Sequence, residues 1–320
     1  MSGKYRAAGS ARNHGYGRDM AYAGKQALNE YYGGGHFATV ASHGTRFNQF
    51  VAWAKEQGVR DVARNNPQEL LEGYANHVGT KSWAGELSAA YAQNLISTAQ
   101  VVLRAMTGID GLKVSPSEYC KSRSNVRNVP PGSLDRSALE KATVAMRSAG
   151  LDRAAAVVGL ARELGMRERE ATLADLSRLD GEARSYGAVN VQDGTKGGRD
   201  ADRWVPVSSR GRSALDAALA VRQDGSKNLL GAVESYRQFV DGELRQGREF
   251  LKSAGVVGYH DCRAGYACDR YEQLTGHPAP VMSGGQTASR DLDLLARREL
   301  MTELGHGRDD VSVSYVGGRS

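Results

Sequence analysis

The chain is short of cysteine and proline and has no long apolar run, and each shortage removes a class of protein. Its three cysteines, Cys120, Cys262 and Cys268, are too few and too scattered for a disulfide framework, which points to a reducing compartment. His260, Cys262, Cys268 and His277 contain no Cys-x-x-Cys knuckle, so a zinc site is set aside and no metal or other cofactor is expected. No stretch approaches the roughly 20 apolar residues that cross a bilayer, and the opening Met-Ser-Gly-Lys-Tyr-Arg lacks the hydrophobic centre of a signal peptide. The expectation is a soluble, cytoplasmic protein.

What is present allows two domains. A 40% hydrophobic content over 320 residues is enough for ordinary packed cores. Lysine and arginine number 42 against 36 acidic residues, a net charge of +6 that suits a phosphate-covered partner without proving one.

Residues 1–24 mix Gly, Ser, Ala and Arg without an apolar period and read as a mobile basic arm. Between 25 and 108 the pattern is helical throughout. Phe37, Val40, Phe47, Phe50, Val51 and Ala54 recur at three- and four-residue steps, Pro67 opens a second run, and Ser88 is placed to cap a third that carries Tyr91, Leu95, Ala99, Val102 and Met106. Residues 109–134 hold Pro116, Pro130, Pro131 and Gly132 among exposed cations, the composition of a basic linker. Arg46 and Lys55 on the helices, and Lys121, Arg123 and Arg127 in the linker, are candidate DNA contacts.

Residues 135–320 form the second expected domain. Two helices break at Gly150-Leu151-Asp152, and Gly165 closes the second as a natural C′ residue, leaving Arg167 at a turn with Glu170 supporting it. Residues 186–191 and 203–207 alternate as two short strands, and Gly194-Thr195-Lys196-Gly197-Gly198-Arg199 lies between them. A helical run over 229–254 offers Val233, Tyr236, Phe239 and Val240 as a core face. His260 and Arg263 follow one helical turn apart on the same face, and His306 precedes Tyr315 by nine positions. The fold class expected is mainly α with a small β-sheet.

Arginine, lysine, His-x-x-Arg, histidine and tyrosine in that order resemble the catalytic set of the tyrosine recombinases, the phage integrase family. The helical stretch 25–108, including Arg46-Phe47-x-x-Phe50-x-x-Trp53, resembles that family's core-binding (SAM-like) domain, and 135–320 its α+β catalytic domain. The resemblance implies a site-specific recombinase or integrase that acts on double-stranded DNA as a homotetramer on two sites, serving integration or excision of a mobile element of a bacterium or phage. Tyr315 would attack the phosphodiester to give a 3′-phosphotyrosyl link. Arg167 and Arg263 would hold the nonbridging oxygens, and Lys196 would protonate the departing 5′ oxygen. His260 and His306 would donate hydrogen bonds or manage the tyrosine proton, in a division the residues leave open. Family spacing to Glu170 favours Arg167 over Arg169. A free phenol has a pKa of about 10, so such a nucleophile needs cations or a base beside it.

Two other readings keep most of these residues: a type IB topoisomerase that relaxes DNA, and a catalytically silent DNA-binding protein. The chain departs from the family at Ala264, where many members carry a second histidine, and in a long interval from Arg263 to His306. An insertion over 277–303 accounts for that length, and its role cannot be read from the residues.

Overall fold

A computed structural model describes residues 4–7, 9–195 and 202–319. The described residues are mainly helical with one two-stranded sheet, and the chain divides into two compact units at Ser124 and Asn125. No helix among the described residues is long and apolar enough to cross a membrane.

The first unit is built on α1 (Met20–Tyr31), α2 (Phe37–Glu56), α3 (Pro67–Ala84) and α4 (Ala89–Thr107). Local chemistry sets the helix starts. Asp19, Asn66 and Ser88 each accept a hydrogen bond from a first-turn backbone N–H, and Pro67 occupies a first-turn position where no N–H is needed. Phe47, Phe50 and Tyr74 are buried at the centre, with Phe50 and Tyr74 edge-on at 5.2 Å between ring centroids. Tyr91, expected in the packed run of α4, is instead 41% exposed.

Two expectations about this unit are corrected. Residues 12–24 are not part of a mobile arm: Asn13, Tyr16 and Met20 are buried, and Asn13 sits at φ 49° with its backbone N–H on Asp61 Oδ1 at 2.8 Å. The Asn13–Asp61 hydrogen bond and the packing of Tyr16, Met20 and Ala23 in the unit's core anchor the segment. Nor is 109–134 a uniform linker. Leu112, Val114 and Cys120 join the first unit's core, and a short α5 (Pro116–Tyr119) packs against α3 and α4.

The second unit begins with α6 (Arg136–Ser148) and α7 (Asp152–Leu164), then α8 (Glu168–Leu173) and α9 (Leu176–Tyr186). Strands β1 (Ala188–Asn190) and β2 (Trp204–Pro206) pair antiparallel, Val189 opposite Val205. Helix α10 (Ser209–Ala220) packs on α7. The run expected over 229–254 starts later, at α11 (Tyr236–Phe239), which passes through a π-helical turn into α12 (Arg245–Ser253). Ser235 and Gln238 form a capping box there, which leaves Val233 before the helix and 99% exposed rather than in the core.

The centre of this unit is α13 (Tyr259–Thr275), buried along most of its length and packed on α7 and on α15 (Arg290–Glu303). Between α13 and α15 lies a single turn, α14 (Pro280–Ser283), and the last turn of helix is α16 (Val313–Val316).

Candidate active site

Two tight turns and one buried helix assemble the site. Gly165 ends α7 at φ 60°, and a Cβ there would lie 2.6 Å from the Tyr266 ring, so only glycine allows the sharp exit that makes Arg167 the N-cap of α8. A second turn at Gly305 follows α15 and delivers His306. Helix α13 runs beneath both and supplies Arg263, which is fully buried and donates to the carbonyls of Gly165 and Leu304, one from each turn. This one guanidinium ties the two turns together.

A buried carboxylate holds the cations. Glu170 has no exposed surface; it accepts from the Arg167 backbone N–H at 2.7 Å and from the Arg167 side chain. Arg203 lies 2.8 Å from it and Arg263 3.5 Å. Burial alone would raise the Glu170 carboxyl, but Arg203, Arg263 and Arg167 outweigh burial and hold it at about 2. Burial pushes the Arg263 guanidinium down to about 10, so it remains charged at neutral pH.

Tyr315 closes over this cluster. Its hydroxyl accepts from Arg263 Nε at 3.2 Å and lies 3.0 Å from His306 Nε2. The same imidazole nitrogen lies 3.3 Å from Arg263 Nη2 and 3.4 Å from Arg167 Nη2. Burial, followed by Arg263, Arg167 and Arg203, drives the His306 imidazole down to about 3, so it is neutral. Guanidinium groups are donors only, so a nitrogen facing two of them is the unprotonated one. His306 therefore carries its proton on Nδ1 and presents Nε2 as an acceptor for the phenol. His260 keeps an exposed edge while its ring tilts over Tyr315 at 5.4 Å; partial burial with Arg263, Arg127 and Arg167 lowers its pKa.

Arg167, Arg263, His306, Tyr315 and His260 are thus together in one pocket. Lys196 lies outside the described residues. The chain leading to it runs against α8: a Cβ on Gly194 would lie 2.7 Å from the Arg169 carbonyl, and Asp193 pairs with Arg178 at 2.7 Å. Arg169 faces away from the cluster, over the Tyr236 ring at 5.8 Å.

Of the candidate DNA contacts, Lys55, Lys121 and Arg123 are exposed and Arg46 is half-buried. Arg127 has partners within the second unit. Its guanidinium pairs with buried Asp261 at 2.9 Å and donates to Ser314 O at 3.4 Å, while its backbone N–H donates to Val313 O at 2.9 Å. Its charge is matched by a buried carboxylate. Arg203 was missed as a site residue, for it read only as the start of a strand. It is 3% exposed, donates to Glu303 O at 2.7 Å and to Gly165 O at 3.2 Å, and so braces both turns. Among the described residues no cluster of His, Cys, Asp or Glu is placed to hold a metal ion.

Residues 125–269 match the family model described as Integrase. The second unit belongs to the integrase family, the tyrosine recombinases. The matched segment of this integrase unit takes in Arg167, Glu170, His260 and Arg263 and stops before His306 and Tyr315, so the last two enter the site on geometry. A solved structure titled "Crystal structure of XerA recombinase" aligns over 93% of this chain and 94% of its own, at 18% identity and a TM-score of 0.40, a likeness too loose to carry weight. No curated protein matches the chain.

Proposed function

We propose that this integrase-family protein is a site-specific DNA recombinase that cuts and rejoins strands through a covalent link on Tyr315. The observation that carries the reading is the phenol hydroxyl held between a neutral imidazole acceptor and a buried guanidinium, His306 Nε2 at 3.0 Å and Arg263 Nε at 3.2 Å. An acceptor for the proton and a cation for the resulting oxyanion are what an attacking phenol needs.

Attack forms a bond from Tyr315 Oη to phosphorus and breaks the bond to the 5′ oxygen, leaving a 3′-phosphotyrosyl link. The phenol proton passes to His306 Nε2. Negative charge that gathers on the nonbridging oxygens is met by Arg167 and Arg263, always-charged donors fixed in advance by Glu170 and Arg203. A phosphate oxygen would take the Arg263 hydrogen bond that the Tyr315 hydroxyl holds in this structure. His260, with its exposed edge, approaches the same phosphate from the solvent side. Lys196 protonates the departing oxygen. Rejoining reverses each step, with a strand hydroxyl attacking phosphorus and His306 returning the proton to the phenol. The covalent link stores the energy of the broken phosphodiester, so the exchange needs no nucleotide. Four copies on two double-stranded DNA sites, and integration or excision of a mobile element, complete the reading.

The test is incubation with a nicked suicide substrate, followed by a denaturing gel. A protein–DNA adduct is expected from the wild type and none from Tyr315→Phe. An adduct that persists in Tyr315→Phe, or none from wild type with its own recombination site, overturns the reading. Adduct with relaxation but no exchange moves the protein to the topoisomerase class.

A further inference from the structure

Helix α16 has four residues, too few to hold itself. Its position is imposed from outside, by the stretch whose role could not be read from the residues. Asp293 on α15 is fully buried and accepts from Arg297 Nε at 2.8 Å, Tyr271 Oη at 2.9 Å and Arg319 Nε at 2.8 Å. Arg297, 3% exposed, then reaches away from its own helix, and its Nη1 donates to Ser312 Oγ and to the Gly317 carbonyl, both at 3.1 Å. Those two acceptors bracket Tyr315, three residues before it and two after. Residues beyond Tyr315 are fastened to the same stretch, where Gln286 N–H donates to Arg319 O at 3.2 Å.

We propose that Arg297, held by Asp293, is a positioning residue for strand cutting: one guanidinium staples both ends of the turn that carries Tyr315 and so fixes where its phenol can reach. The 277–303 insertion is then the nucleophile's mount. A pair serving only α15 would end at the i,i+4 contact between Arg297 and Asp293. Here the second arm of the fork is spent on the Tyr315 turn, and a buried charge is an expensive group to retain for packing alone. Lysine at 297 can keep the pair with Asp293 but lacks the planar fork that reaches two further acceptors.

The inference rests on Tyr315 being the nucleophile, and the experiment separates the two claims. Full-length Arg297→Lys and Ser312→Ala, the latter removing one acceptor without touching the buried pair, are compared with wild type in single-turnover adduct formation. A fall of about 10- to 100-fold is expected for Arg297→Lys and a smaller one for Ser312→Ala, at unchanged DNA half-saturation, because a misplacement of about 1 Å can cost that much. Each change is then placed in a Tyr315→Phe background and hydrogen peroxide is supplied as nucleophile. Its oxygen bonds to phosphorus, its proton goes to His306 and the bond to the leaving oxygen breaks, so the cationic pocket is required and α16 is not. Peroxide cutting equal to that of Tyr315→Phe alone supports positioning. Peroxide cutting that falls in parallel with adduct formation, or Arg297→Lys adduct rates equal to wild type, overturns it. A wild type that forms no adduct defeats the Tyr315 reading instead.

Discussion

His306 Nε2 and Tyr315 Oη face each other at 3.0 Å across a pocket that keeps the imidazole neutral. Burial and three guanidinium groups depress its pKa from 6.5 to about 3. As pH falls below 6.5 the unfolded chain takes up a proton at this histidine and the folded chain does not, so its contribution to stability is present above 6.5 and lost on the way down to about 3. Glu170 acts in the same direction from 4.5 down to about 2. The His306 ring resonances are expected to show no titration between about pH 5 and 8 in NMR spectra. A midpoint near the ordinary histidine value would contradict the assignment of Nε2 as the acceptor.

Glu170 is the carboxylate on which three arginines converge, and Glu170→Gln keeps its shape while removing its charge. Leaving buried cations uncompensated costs about 3–5 kcal/mol, so the urea midpoint should fall steeply and adduct formation with it. Unchanged stability would mean that the arginines are balanced elsewhere.

Exposed and paired cations should separate in their response to salt. Each phosphate contact steepens the fall of log affinity with log salt by about one. Lys121→Ala and Arg123→Ala, at exposed positions, are expected to flatten that slope by up to about one each. Arg127→Ala should leave it unchanged, since its charge is already matched by Asp261 at 2.9 Å. A slope that drops only for Arg127→Ala would return that residue to the DNA interface.

Asn13 joins the N-terminal segment to the first unit through Val62 N–H, which it accepts at 3.0 Å, and Gly17 O, to which it donates at 2.8 Å. Asn13→Ala strands both groups and puts alanine at φ 49°, with an expected loss of about 1–3 kcal/mol in urea unfolding of the full chain. Asn13→Gly relieves the backbone but not the hydrogen bonds, so it should lose less. Equal losses would place the whole effect in the hydrogen bonds.

The helix boundaries legible in the sequence are those set by neighbours along the chain. Pro67, Ser88 and Gly165 act within one turn of themselves, and each does in the structure what its local chemistry requires. Val233 lies outside the helix for the same local reason: Ser235 and Gln238 display a capping box that starts the helix after it. The side chains of Arg167, Arg263, His306 and Tyr315 could be named from their order along the chain. Arg203 and Arg297 could not, because neither sits in a local pattern that differs from an ordinary strand start or helix flank.

What the sequence determined by itself is the list of chemical groups and the helices that carry them, since caps, breakers and apolar spacing act over a few residues. Tertiary structure alone decided which cations are spent inward and which remain outside. Arg127, Arg203 and Arg297 are ordinary arginines in one dimension. Each becomes a brace only where burial removes water and a carboxylate or carbonyl from 20 to more than 100 residues away supplies the missing partner.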